Sequence, residues 1–396
     1  MTTRWLAIVG IGEDGHLPPA AHDAVARAAL VVGGRRHLAL AEAAITGEKL
    51  PWPSPMDGAY ATILARRPGP VAVLASGDPF CFGVGTALAR LVPMAEIICH
   101  PAPSAFALAR ARLGWSTVEE LSVCGRPLTA IVPHLQPGAR LLVLSADASS
   151  PGALAALLQA RGLGESEIIV LEAMGGLAER MRHATAQGFD LEDVHALNTV
   201  AITVKGPVTQ HLATGLSDSL FEHDGQLTRR EIRAVTLSSL APRRGELLWD
   251  VGGGAGSIGI EWMLRHPANR AIAIEPDLAR VARIAQNATT LGVPGLVVVE
   301  GGAPGALAGL PPPDAIFLGG GAHRPGVIDT AWGALPPQGR IVANAVTIET
   351  EMTVMAAQSR LGGTLLRLSL ERMDSVGTMH AFRPAMTVTQ WAAVKP

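Results

Sequence analysis

The sequence predicts two α/β domains in tandem. Three observations carry that reading: a length of 396 residues, short β-rich runs alternating with stretches of helical period, and a glycine turn after a strand in each half. A chain this long exceeds one ordinary core and suits two domains of about 150 to 200 residues each. In the first half the runs WLAIVG, LVVGG, PVAVLASG, EIICH, RLLVLS, EIIVLE and TVAITVKG alternate with Ala/Leu/Arg stretches. Strands so uniformly apolar are expected to be buried on both faces. Gly206-Pro207 stops the last of them, and the polar stretch from Ser217 to Gln226 reads as a connector. The domains are therefore expected at 1–208 and 217–396.

The second half is more regular. Strands are expected at Glu246 to Val251, Ala271 to Glu275, Gly295 to Glu300, Asp314 to Leu318 and Gly339 to Ala343, with helical segments between them. Two further runs, Thr364 to Glu371 and Ala385 to Ala392, follow without a long helix between them, which predicts an antiparallel edge on a parallel sheet. The sum is a Rossmann-like sheet of seven strands. The glycine signatures of the two halves differ in form, so two unrelated folds are joined.

Composition excludes several classes. The apolar runs are broken by Gly, Pro or Arg well before the roughly 20 residues that a membrane span needs. Met1-Thr2-Thr3-Arg4-Trp5 passes directly into a strand-like run and not into a signal sequence, so a cytoplasmic protein is expected. Cys81, Cys99 and Cys124 have neither metal-ligand spacing nor an even count, and are read as buried thiols. No metal is expected. A net charge of −2 with only short Arg clusters offers no basic face for nucleic acid, leaving small-molecule chemistry.

The strongest motif lies in the second half, where the apolar strand Leu247 to Val251 runs into Gly252, Gly253, Gly254, Ala255 and Gly256, and a helix from Ile258 to Leu264 follows. Glycines let a ligand approach the backbone, and the helix start offers free amide donors. Glu275, at the tip of the second strand, is placed to accept both ribose hydroxyls of an adenosine. Two cofactors fit this pattern, because Gly254, Gly256 and Gly259 also satisfy GxGxxG with Glu275 19 residues beyond Gly256. Asp250 tilts the choice, since a carboxylate before the turn suits a cationic amino group and opposes a pyrophosphate. Small residues through Ala303 suit an adenine ring.

The run from Leu227 to Glu351, with LTRREIRA, LWDVGGGAGSIGIEW, AIAIEPD, VVVEGGAPGAL, PPPDAIFLGGG and GRIVANAVTIET, resembles the corrin-methylating, decarboxylating domain of the precorrin-6Y C5,15-methyltransferase family. The resemblance implies that Thr228, Gly252, Gly254, Gly256, Glu275 and Ala303 contact S-adenosylmethionine. GGGAG stands here where GAGSG is usual, and GGGAH where GGSGG is common.

In the first half, Val9-Gly10-Ile11-Gly12 alone is a weak signal. It gains weight from Leu74 to Gly85, which holds Ser76-Gly77-Asp78-Pro79, and from Pro101-Ala102-Pro103-Ser104-Ala105. These resemble the SGDP and PAPS loops of tetrapyrrole methylases. That resemblance implies a second S-adenosylmethionine folded between Gly10, Gly12, Ser76, Gly77, Pro103 and Ser104, with the Asp78 carboxylate beside cofactor or substrate. The Gly12 to His16 stretch departs from the family's GPG-like turn.

The resemblance implies methylation at C-5 by the first domain, and methylation at C-15 with loss of the ring-C acetate carboxyl by the second. Such a substrate is electron-rich, and a sulfonium methyl is already activated, so alignment matters more than a strong base. Decarboxylation needs no metal, because the adjacent ring, as a protonated imine, accepts the electrons; the protein adds desolvation and orientation. The substrate's carboxylates call for Arg. Arg229, Arg230 and Arg233 are candidates beside the second glycine turn, His323 and Arg324 after the fourth strand, and Arg35, Arg36 and His37 in the first half; for each the alternative is a solvated surface charge. Asn344 and Thr347 follow the fifth strand, on the ligand side of the sheet. Glu349 is either a proton relay or a helix-start carboxylate. The competing functions are a nicotinamide-dependent oxidoreductase, which leaves the first-half loops unexplained, and a noncatalytic tetrapyrrole or S-adenosylmethionine sensor. A homo-oligomer is expected.

Overall fold

The computed structural model describes residues 4–396, so the expectation for the first three residues lies outside it. The chain divides into two compact units, Met1–Leu128 with His134–Thr209, and Thr129–Pro133 with Gln210–Pro396. Among the described residues no helix is long and apolar enough to cross a membrane.

The first unit holds two five-stranded sheets. One consists of β1 (Leu6–Ile11), β2 (Leu30–Gly33), β3 (Glu48–Pro51), β4 (Val71–Ser76) and β5 (Ile97–His100), all parallel, in the order β3-β2-β4-β1-β5. The other is mixed and consists of β6 (Glu119–Ser122), β7 (Arg140–Leu144), β8 (Glu167–Glu172), β9 (Arg180–Thr185) and β10 (Asn198–Thr203), in the order β6-β7-β10-β8-β9. Every residue of β1 and β2 is buried, as apolar strands covered on both faces should be. Three strands of this unit escape the sequence reading, β3, β6 and β9. All three are sheet edges with mostly exposed or half-buried side chains, so polar sequences such as EKLP and RMRHAT hide them.

In the second unit β11 (Leu247–Val251), β12 (Arg270–Glu275), β13 (Val297–Glu300), β14 (Ala315–Leu318), β15 (Arg340–Ala345) and β16 (Thr364–Leu368) are followed by a separate hairpin, β17 (Glu371–Val376) and β18 (Met379–Pro384), and by β19 (Val388–Val394). The seven-stranded sheet has the order β13-β12-β11-β14-β15-β19-β16. Its direction of growth reverses between β11 and β14. The expected antiparallel edge is corrected in one respect: the antiparallel strand is β19, which lies inside the sheet between β15 and β16. Apolar Val388–Val394 takes the buried position and β16 the exposed edge. Trp391 is fully buried there, among the side chains that pack β11, β14 and β15 on one face.

The reading of the cysteines as buried thiols is also corrected. Cys81 and Cys99 are half-buried and Cys124 is exposed, its Sγ donating to the Ser145 carbonyl at 2.9 Å.

Candidate functional site

The carboxyl ends of β11, β12 and β14 open onto a cleft of about 780 Å³, at the reversal in strand order where open α/β sheets bind ligands. Its turn must be glycine at two points. Gly252 has φ +76°, and a Cβ there would lie 2.7 Å from the Gly320 backbone nitrogen. Gly256 has φ +77°, with Ile284 Cγ2 2.8 Å from a would-be Cβ. At Gly252 the loops after β11 and β14 therefore meet backbone against backbone, and at Gly256 the turn packs against the Ile284 side chain.

Two carboxylates form the floor. Glu275, 3% exposed, accepts from the Gly254 N–H at 2.9 Å through Oε2 and from the Asp277 N–H at 3.2 Å through Oε1. Each oxygen keeps a lone pair for a ligand hydroxyl. Asp250, 1% exposed, accepts from the Gly259 N–H at 2.9 Å. Burial, and secondarily the charge of Glu275, pushes Asp250 up to about 7. A desolvated carboxylate of this kind favours a cation beside it. The acceptor pair thus fits a cationic nucleoside such as S-adenosylmethionine, whereas a pyrophosphate here would face the Glu275 carboxylate and oppose ionisation of Asp250.

Of the residues singled out in the sequence, Thr228, Arg229, Asp250, Gly252, Gly253, Gly254, Ala255, Glu275, Ala303, Arg324 and Asn344 line this cleft. Gly256 stands behind the turn and precedes the helix Ser257–Leu264. Asn344 lines the wall with its amide engaged, donating to Thr236 Oγ1 and accepting from Gln390 Nε2, each at 2.9 Å. Thr347 caps the helix Ile348–Leu361.

Three expectations are corrected, for Arg233, Arg230 and His323, and for Glu349 the structure favours the helix-start alternative. Arg233 is 0% exposed and spends its donors on Glu261 Oε1 at 2.5 Å, Asp218 Oδ1 at 3.2 Å and the Thr228 and Leu216 carbonyls, so it is a buried hub and not a substrate ligand. Arg230 is exposed and outside the lining. His323 lines a smaller neighbouring hollow with Asp329 and Arg360. Glu349 lies in the first turn of its helix, exposed and off the cleft, where an acid complements the helix dipole.

Sequence reasoning missed Arg372 and Arg383, which reach the cleft from the hairpin β17–β18. The signal available was Gly377 between two short runs that alternate bulky and polar residues.

In the first unit the loops after β1, β4 and β5 converge. The Gly77 N–H donates to the Ile11 carbonyl and the Ala102 N–H to the Gly77 carbonyl, both at 3.1 Å. A Cβ at Gly10 would stand 1.8 Å from the Gly77 oxygen. Gly10, Gly77 and Pro103 are thereby brought together, while Gly12 closes its own turn by accepting from the Gly15 N–H at 3.1 Å. Ser104 caps the helix Ala105–Leu113, and Asp78 Oδ1 accepts from the Phe80 N–H at 2.9 Å. Arg36 pairs with Glu13 and donates to Ser76 Oγ at 3.1 Å. His37 Nε2 lies 2.8 Å from Ser76 Oγ; burial first, then the charge of Arg36, holds the ring down to about 4, so it is neutral at pH 7. Arg35 is exposed.

Comparison with known proteins matches both halves of the chain. The model of tetrapyrrole (corrin/porphyrin) methylases matches residues 6–190, and that of the precorrin methyltransferase domain matches residues 219–395. A precorrin-6Y C(5,15)-methyltransferase [decarboxylating] from a Sinorhizobium species is 54% identical, over 100% of this chain and 97% of that protein. One of the same name from Mycobacterium tuberculosis is 40% identical, over 98% of this chain and 100% of that protein. A cobalt-precorrin-6B C(15)-methyltransferase (decarboxylating) from Salmonella typhimurium is 32% identical over 40% of this chain and 83% of that protein. Identity at this level, over 98% or more of the chain, means that the chain belongs to the family of decarboxylating precorrin-6Y C(5,15)-methyltransferases.

Proposed function

We propose that each half of the chain holds one S-adenosylmethionine, that the first half methylates C-5 of a precorrin, and that the second methylates C-15 and removes the ring-C acetate carboxyl. Enzymes of this family are S-adenosylmethionine-dependent methyltransferases of cobalamin biosynthesis. The observation that carries the second-half assignment is the pair of buried carboxylates, Asp250 and Glu275, on the floor of one cleft. The division of labour is supported by the Salmonella relative: a protein of single-domain size bears a name joining C-15 methylation to decarboxylation.

When bound, the cofactor supplies a methyl group already activated on a sulfonium. Glu275 holds the ribose hydroxyls and Asp250 balances the cationic amino group. Ala303 and the glycine turn leave room for the flat base. Arg229 and Arg324 face the same cleft and hold substrate carboxylates. Neither half needs a strong base poised at the reacting carbon, because the chemistry depends on alignment. In the decarboxylation the bond from the acetate methylene to the carboxyl carbon breaks, carbon dioxide leaves, and the electron pair enters the protonated imine of ring C. In the first half Ser76, Gly77, Asp78 and Ser104 form the rim against which the second cofactor rests, and the neutral His37 holds the Ser76 hydroxyl in place.

The test is incubation of the full chain with methyl-labelled S-adenosylmethionine and precorrin-6Y. Two labelled methyl groups and one carbon dioxide per substrate are expected. A single methyl group, or methylation without carbon dioxide release, overturns the assignment.

A further inference from the structure

The hairpin β17–β18 is the part of the second cleft that the proposed function leaves unused. It continues the pair β16–β19 with a change of register: Leu368 faces Val388, and Glu371 faces Pro384. Between these pairs the outgoing chain has two residues, Ser369 and Leu370, and the returning chain three, Ala385, Met386 and Thr387. One strand thus carries one extra residue, which is a β-bulge, a feature that bends a strand and re-aims its side chains. Beyond the bulge Arg372 and Arg383 are direct cross-strand partners, and both line the cleft.

Two cations directly opposite each other destabilise a hairpin. Burial does nothing to offset this, because every residue of both strands is exposed. Arg372 pairs with Glu231, and Arg383 with Asp374 at 3.1 Å, but all four side chains are about half exposed. Such pairs contribute roughly 0 to 1 kcal/mol, so either guanidinium can pass to another carboxylate at little cost. The rim of the cleft is cationic, with Arg229 and Arg324 beside the hairpin arginines, and its floor is anionic.

We propose that Arg372 and Arg383 form a paired carboxylate clamp, which takes two peripheral carboxylates of the substrate and so sets which part of the macrocycle lies over the floor of the cleft. The clamp deepens the proposed function and rests on the assignment of a precorrin to this cleft. It selects polycarboxylates: planar guanidinium forks bind a carboxylate bidentately, and two forks on one hairpin face demand two acids at a set spacing.

The experiment uses the full chain with Arg372→Gln, Arg383→Gln, the double variant and the two Arg→Lys variants. Equilibrium binding and steady-state C-15 methylation are measured with precorrin-6Y and with its methyl-esterified form, and cofactor binding by calorimetry. Each Gln substitution is expected to raise Kd and KM for the free acid about tenfold, ~1.4 kcal/mol, with kcat changed little. The Lys variants should recover part of the loss. The esterified compound should bind wild type and double variant equally, and cofactor affinity should stay as in wild type. Free-acid affinity in the double variant equal to wild type overturns the clamp. Wild-type protein that binds S-adenosylmethionine but neither binds nor methylates precorrin-6Y overturns the functional assignment, and the clamp with it. Both sites are exposed and the opposed cations repel, so melting curves should not fall; if the double variant misfolds, Arg383→Gln, whose ion-pair partner lies within the hairpin, supplies the measurement.

Discussion

Asp250 and Glu275 project into one cleft from neighbouring parallel strands, and with burial already disfavouring its charge, Asp250 is raised further by Glu275. Two acids so placed are costly in the empty protein and useful only when a cation arrives.

The first prediction is a pH dependence. Asp250 ionises near 3.8 in the unfolded chain and near 7 in the folded one, so the native state prefers its proton. Its stabilising contribution is full below pH 4 and is lost as pH rises through 7. Asp250→Asn keeps an acceptor for the Gly259 N–H and removes the titration. The stability of this variant relative to ligand-free wild type should therefore increase from pH 4 to pH 8, by roughly 1 to 4 kcal/mol. A difference that stays flat across denaturant melts at these pH values would show that the carboxylate is already ionised throughout.

Glu275→Ala removes the acceptor that ties down the Gly254 and Asp277 amides as well as the acceptor for a ribose. Charge-assisted hydrogen bonds contribute about 1.5 to 3 kcal/mol each, so cofactor affinity in the second half should drop by at least tenfold. Calorimetry should then count one tight site per chain where wild type shows two.

Gly10→Ala should separate the halves in the opposite sense. A methyl group 1.8 Å from the Gly77 oxygen cannot be accommodated without moving the loops after β1 and β4 apart. The variant is expected to lose the C-5 methyl group while C-15 methylation continues, which mass analysis of the product reads directly. Retention of both methyl groups would mean that this junction does not form the first site.

Arg233 is expected to matter for stability and not for chemistry. Replacing it by Met strands the Glu261 carboxylate, which is 0% exposed and otherwise held by the Gly215 and Leu216 amides. Removing one partner of a buried pair costs about 3 to 5 kcal/mol. The protein that remains folded at low temperature should keep its KM for both ligands; a rise in KM alone, with unchanged melting, would return Arg233 to the substrate site.

What was legible in the sequence follows from what side-chain pattern encodes. Buried strands such as β1 and β11 announce themselves as apolar runs, and Gly252 and Gly10 mark places where backbones meet. The edge strands β3, β6 and β9 are polar and carry no such pattern, whereas the edges β5 and β13 are legible from the apolar runs IIC and VVV. Charge alone also misleads: Arg233 and Arg229 lie one helical turn apart in LTRREIRA, yet the first is sealed against Phe221 and Glu261 while the second reaches the cleft. Arg372 and Arg383 are distant in sequence from the glycine turn, and only the bulged hairpin brings them to it.

The position of β19 between β15 and β16 has a consequence for synthesis. A strand that fills the inside of a sheet is a precondition for its closure, so the second unit cannot complete its sheet until residues 388–394 have left the ribosome. The first unit has all of its strands by residue 203 and is free to fold while the second is still being translated.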